Sequence, residues 1–206
     1  LSLSESEVII MPKIVDHEAR RNSIVRAFLE LVGEQGMAEA NSRALARKLD
    51  ISNSLLWRYF DDMNQLIEQA YTTITEDTST RIQYAVEHAS GLHAFNLALD
   101  EIFPISEVSR VEAKIAVSFW GLAVSTHSQA SVTLDELNEW SSQLEGFLQQ
   151  AMELGEISAS APLRDLAQMA ISTAIQAQVE YAMTHSENRA RSLRESVDAV
   201  LRLAGK

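Results

Sequence analysis

Cysteine is absent from this 206-residue chain, which excludes disulfide scaffolds, thiol nucleophiles, iron–sulfur clusters and thiolate zinc sites. The absence fits a reducing compartment. Proline occurs three times and glycine seven. A protein of many short strands turns roughly every eight to twelve residues and needs more of both, so long helices are expected. Long apolar runs are also missing. The run Val8-Ile9-Ile10-Met11 falls far short of the roughly 18 residues of a membrane span. The first ten residues carry Glu5 and Glu7 and no basic residue, unlike a secretory signal. Residues 1–12 therefore read as a flexible leader, with Met11 a second candidate start, on a cytoplasmic protein that has no membrane partner. Aromatic residues make up only 6%, yet 46% of the chain is hydrophobic, too ordinary a mixture for disorder.

Positive charge is scarce as well, with 17 Lys and Arg against 29 Asp and Glu and a net charge of −12. Its distribution is uneven. Residues 13–60 hold eight basic side chains against six acidic, a balance of +2, and residues 61–206 hold nine against 21, a balance of −12. This is the pattern of a small basic module on an acidic body.

Apolar residues at Ile24, Phe28 and Leu31, with Val25 and Val32 beside them, predict a helix from Glu18 to Gln35 that stops at Gly36. Short helices follow over 42–49, capped by Asn41 or Ser42, and over 53–59, capped by Ser52. A long helix begins at Phe60-Asp61-Asp62 and runs toward His88. Amphipathic segments then predict helices near 92–103, 107–126, 134–154, 163–184 and 190–204. No segment alternates at period two for long enough to be a strand. The expected class is all-α.

Residues 41–60, Asn-Ser-Arg-Ala-Leu-Ala-Arg-Lys-Leu-Asp-Ile-Ser-Asn-Ser-Leu-Leu-Trp-Arg-Tyr-Phe, carry the functional signal. Two short helices joined by a turn of three to four residues form a helix-turn-helix when three conditions hold together. Ala46 supplies the small residue at the helix crossing. Asp50 stands at the left-handed turn position, which Asp tolerates better than most types. Leu45, Leu49, Ile51 and Leu56 are the inward apolar positions. The second helix then exposes Asn53, Ser54, Trp57 and Arg58 to a major groove and its phosphates.

This stretch resembles the TetR family of bacterial transcriptional regulators, from about Glu18 to Ile74: a first helix closed by Gly36, Ser42-Arg43-x-Leu-Ala, Ile51-Ser52, Leu56-Trp57-Arg58-Tyr59-Phe60, then Leu66. Met11-Pro12-Lys13 followed by Arg20-Arg21 is reminiscent of the choline-responsive repressors of the betaine pathway. Four positions depart from the family pattern: Asp50 replaces Gly, Leu55 replaces a small residue, Trp57 replaces Tyr, and Met63 replaces a phosphate-contacting Lys. The resemblance implies a helix-turn-helix domain over 13–74 and a larger helical effector-binding and dimerisation domain over 75–206. It implies a homodimer that binds a double-stranded palindromic operator as a repressor and is released by a small-molecule effector. Candidate DNA contacts are Ser42, Arg43, Ser52, Asn53, Ser54, Leu55, Trp57, Arg58 and Tyr59. Asn53 and Arg58 lead for polar contact, and Ser54 and Leu55 lie near base edges. The Trp57 indole N–H is a candidate phosphate donor; its alternative role is a hydrophobic plug. Arg47 and Lys48 fit a solvated face.

In the acidic body, Leu166, Ala170, Ala174, Ala177 and Tyr181 form one stripe, and Leu193, Val197 and Leu201 form another. They suit either a subunit interface built as a four-helix bundle or an intrachain helix pair. Effector contacts are sought among Phe95, Phe103, Phe119, Trp120, His127, Trp140, Gln143 and Gln176. Gln176 and His127 stand out as polar groups within apolar stretches, and aromatics in an acidic body suit a cationic ligand. Enzymatic chemistry has no foothold. The five histidines lack paired metal spacing, and neither a glycine-rich phosphate loop nor a serine elbow occurs, so no catalytic residue, metal or cofactor is assigned. A helical protein-binding adaptor with a degenerate DNA-binding motif is the competing reading.

Overall fold

The computed structural model describes residues 13–124 and 127–205, with side chains from His17 onward in the first stretch and from Thr133 onward in the second. The expected leader at 1–12 lies outside the described residues. Among those described, the structure is all-α, without strands: α1 (Lys13–Gln35), α2 (Ser42–Lys48), α3 (Asn53–Leu56), α4 (Met63–Val86), α5 (Gly91–Ile102), α6 (Glu107–Ala123), α7 (His127–Glu153), α8 (Leu163–Thr184) and α9 (Glu187–Ala204).

The punctuation follows local chemistry. Gly36 closes α1 at φ 84. The Asn41 side chain accepts from the Arg43 and Ala44 amides to open α2. Asp50 holds φ 52, its N–H donating to the Arg47 carbonyl while the Ile51 N–H donates to that of Ala46. This paired return satisfies the last carbonyls of α2 and needs a left-handed residue at position 50. Ser52 caps α3 by accepting from the Leu55 amide. The helix expected over 53–59 is shorter than its pattern: after Leu56 the chain tightens, Arg58 N–H donating to Leu55 and Tyr59 N–H to Leu56. These are bonds of the narrower 3₁₀ kind, and they carry Phe60 into the core. The helix expected from Phe60 starts instead at Met63, because Asp62 caps it through the Gln65 amide. Helix α1 begins earlier than expected, at Lys13, and α7 earlier, at His127.

Two cores organise the packing. The first gathers Ile24, Phe28, Leu31, Leu45, Leu56, Phe60 and Leu66 with Ile115, Ala116 and Phe119 of α6. The helix-turn-helix unit is thus packed directly on the body. The second joins Phe95, Leu99 and Phe103 of the α5 segment to Leu144 and Leu148 of α7, Ala167 and Ala174 of α8, and Val197 of α9. Helix α4 is continuous through Ile74, where the sequence placed a domain boundary, and contributes to both cores.

The eight interface candidates require correction. Leu166, Ala170, Ala174, Ala177, Tyr181, Leu193, Val197 and Leu201 are all buried within the single chain, none more than 8% exposed. Side chains with so little free surface have almost nothing to give a partner; they pack α8 and α9 against their own body. The open faces of that pair carry other residues, including Met183 (71% exposed), Val200 (38%) and Leu203 (71%).

Candidate DNA-binding surface and interior cavity

Helices α2 and α3 project one face outward. Arg43, Arg47, Ser52, Asn53, Ser54 and Arg58 are exposed, while Ser42, Leu55, Trp57 and Tyr59 are partly buried. The predicted contact residues are thus open to solvent to different degrees, and their freedom differs. The Ser52 hydroxyl caps α3 and lies 3.0 Å from the Ser54 hydroxyl. Trp57 packs against the first core. The Tyr59 ring lies against His17 at a centroid distance of 4.8 Å, and its carbonyl accepts from Arg21, whose guanidinium sits 4.5 Å from the Phe60 ring centre. Lys48 is held by Glu34 at 2.8 Å and Glu30 at 3.3 Å, an arrangement that raises its pKa, chiefly through the Glu34 hydrogen bond.

Asn53 departs most from expectation. Its amide nitrogen lies 3.2 Å from the Ser42 hydroxyl and 3.3 Å from the Ser42 carbonyl, and its oxygen accepts from the Trp57 indole N–H at 3.0 Å. The amide is assigned this way round because the opposite orientation would set oxygen against oxygen and N–H against N–H. The indole N–H expected to meet a phosphate is therefore occupied within the protein.

A small cavity of about 30 Å³ lies in the body, lined by Tyr71, Thr78, Glu101, Glu112, Trp120, Trp140 and Gln178, among others. Phe119 stacks on Tyr71 with centroids 4.1 Å apart. The Tyr71 hydroxyl donates to Glu136 at 2.7 Å and accepts from the Trp120 indole at 3.4 Å. Across the cavity, Arg81 binds Glu112 through two nitrogens at 2.9 and 2.7 Å and Glu101 at 2.8 Å. Burial outweighs Arg81 and raises the Glu112 pKa; burial likewise raises that of Glu136, against the lowering effect of the Tyr71 hydrogen bond. The site combines aromatic faces with carboxylates, the chemistry that holds an organic cation.

Of the effector candidates, Trp120 and Trp140 line this cavity and Phe119 backs it. Phe95 and Phe103 do not: both are fully buried in the second core. Gln143 is not among the lining residues. Gln176 is exposed and donates to Glu180 at 2.8 Å. The His127 side chain lies outside the described residues. The polar group the cavity uses from α8 is Gln178, 8% exposed, whose amide donates to the Ile102 carbonyl at 2.9 Å. Tyr71, Thr78, Glu112 and Gln178 were missed from sequence. Among the described residues no cluster suits a metal ion, and no helix is long and apolar enough to cross a membrane.

A capped pair of short helices, turned through a left-handed residue and presenting arginines outward, defines a helix-turn-helix protein. Residues 24–70 match the profile described as "Bacterial regulatory proteins, tetR family". The chain is 30% identical over 132 residues to the HTH-type transcriptional regulator BetI of Ectopseudomonas mendocina, the match covering 63% of this chain and 66%, just under two thirds, of that relative. Its fold is similar to that of a transcriptional regulator of Saccharomonospora viridis solved in complex with choline (TM-score 0.77, 12% identity, 90% of this chain and 96% of that one). It is equally similar to a TetR regulator of Haloarcula marismortui (TM-score 0.77, 13% identity, 91% and 98%). Residues 24–70 are thus similar to the TetR-family DNA-binding domain, and the chain as a whole is similar to BetI, of which it spans just under two thirds.

Proposed function

We propose that this protein is a cytoplasmic transcriptional repressor rather than an enzyme, a homodimer that binds a palindromic operator and is released by a small organic cation of the choline type. The observation that carries the reading is the outward, capped helix-turn-helix of α2 and α3 within the stretch that matches the family profile. The N-terminal part of α3 enters the major groove, and Ser54, Leu55 and Arg58 lie nearest the bases. Arg43, with the Ser42, Ser52 and Tyr59 segment around it, faces the phosphates.

The division of labour falls near residue 74, within α4, with DNA recognition before it and effector binding after it. The cation sits among Tyr71, Trp120 and Trp140 beside Glu136 and Glu112, supported by the acidic aromatic cavity and by the choline named in the similar structure. Two subunits join through the outer faces of α8 and α9. That pairing sets the recognition helices about 34–36 Å apart, one turn of duplex.

The test is selection of duplexes from a randomised library with the full-length protein, then titration with choline chloride. A salt-sensitive complex on a palindromic site, weakened by choline, is expected. Absence of any shift at low salt would refute the DNA-binding reading and favour a protein-binding adaptor. A shift indifferent to choline and similar cations would refute the effector assignment alone.

A further inference from the structure

We infer that Asn53, the exposed first residue of α3, is a positioning residue that braces the recognition helix against α2 and does not read a base. The inference rests on the DNA-binding reading above, and it reverses the role the sequence suggests for this side chain. A carboxamide offers one oxygen and one NH₂ group, and reading adenine takes both at once. Here both are engaged within the protein. The nitrogen reaches the Ser42 hydroxyl and carbonyl at 3.2 and 3.3 Å, and the oxygen takes the Trp57 indole N–H at 3.0 Å.

The brace answers a local need. Helix α3 spans only Asn53–Leu56, too short to hold itself by its own hydrogen bonds. Its Ser52 cap fixes the start, but nothing in that cap fixes the angle to α2. Asn53 supplies the missing tie. One end grips the first residue of α2, and the other grips an indole that is itself seated on the first core. To reach a base edge, Asn53 would have to release both ends and leave the Trp57 N–H without its partner.

The experiment uses the full-length protein, a library-selected duplex and the set of its single-base variants. Asn53→Ala and Trp57→Phe should each weaken binding about three- to tenfold, the size of one or two neutral hydrogen bonds. They should do so uniformly, leaving the ratios among the base variants unchanged. Because both remove the same bond, the double variant should bind little worse than either single one. In the free protein, Asn53→Ala should move the Trp57 indole N–H resonance and quicken its solvent exchange. Thermal unfolding of each variant separates loss of the fold from loss of the brace.

Relaxed discrimination confined to one base pair in Asn53→Ala would overturn the proposal in favour of base reading. So would additive losses in the double variant. An unmoved indole resonance would overturn the brace while leaving the DNA-binding reading intact. Failure to select any duplex would remove that reading and this role together, whatever the resonance does.

Discussion

Replacing Asp50 by alanine and, separately, by glycine tests the geometry on which the whole reading frame rests. Asp50 sits at φ 52 between α2 and α3, and the two returning bonds around it, to Arg47 and Ala46, depend on that conformation. An L-residue in the left-handed region carries a penalty of roughly 1–2 kcal/mol from its Cβ, part of which a short polar side chain offsets. Glycine escapes the Cβ penalty but gives back about 0.4–1 kcal/mol through the greater freedom of the unfolded chain. The difference leaves Asp50→Gly more stable than Asp50→Ala by about 1 kcal/mol, with the natural protein between them or close to the glycine variant. For a chain of this size that separation is about 2–4 °C in melting temperature. Urea and thermal unfolding at one fixed protein concentration measure it. If the alanine variant proves as stable as the glycine variant, position 50 is not held left-handed in solution. The crossing of α2 and α3 would then need another explanation.

Three further predictions concern the body. Trp140→Ala should leave operator affinity unchanged and weaken the choline response about 2- to 30-fold, the range of a partly to fully desolvated cation–π contact; calorimetry with choline checks it. Burial raises the Glu112 and Glu136 carboxyls above their ordinary 4.5, so both protonate before exposed carboxyls do as pH falls. Only the ionised form attracts a cation. Choline affinity should therefore drop on acidification at pH values above 4.5, and the drop should shrink in Glu136→Gln. Arg194, 8% exposed, ties α9 to Asp100 and Asn96 of α5 at 2.8 and 2.9 Å and to Asp198. Arg194→Ala should cost about 2 kcal/mol in urea unfolding, less than the roughly 3–5 of a fully buried pair, because both carboxylates it abandons reach solvent.

The helix-turn-helix was legible in the sequence because its signals are local: a cap, a left-handed turn residue and apolar positions a few residues apart. What partners a buried stripe is not local. Ala170, Ala174 and Ala177 would show the same spacing whether the opposing surface came from a second subunit or from α6 and α7 of the same chain, and here it came from the same chain. The cavity illustrates a readable signal that was misread. Ala167, Ile171, Ala174, Gln178 and Tyr181 fall on one buried face of α8, so the polar residue interrupting that stripe is Gln178. Gln176 lies two positions earlier, about 200° around the helix at 3.6 residues per turn, and faces water. Tyr71 and Glu112 join the same cavity from helices separated by tens of residues, which only the fold brings together.

Charge on the candidate DNA-binding surface is more limited than composition suggests, and salt dependence exposes this. Glu30 and Glu34 hold Lys48 from α1, so the unpaired cations of the stretch from α2 to the turn after α3, among the described residues, are Arg43, Arg47 and Arg58. If each of the three meets a phosphate, a dimer neutralises about six. Each neutralised phosphate contributes about 0.9 to the slope of log K against log salt, giving about −5 at most. Lys48→Ala should leave that slope unchanged, because the charge removed is already engaged. Glu30→Gln with Glu34→Gln frees it, and the slope should then steepen by up to about 2 for the two subunits together. Titration of one selected duplex across a salt series reads all three proteins. Flattening in Lys48→Ala alone would show that DNA displaces the glutamates from Lys48, adding this residue to the contact surface. A slope far steeper than −5 in the natural protein would mean that cations other than these three carry much of the grip.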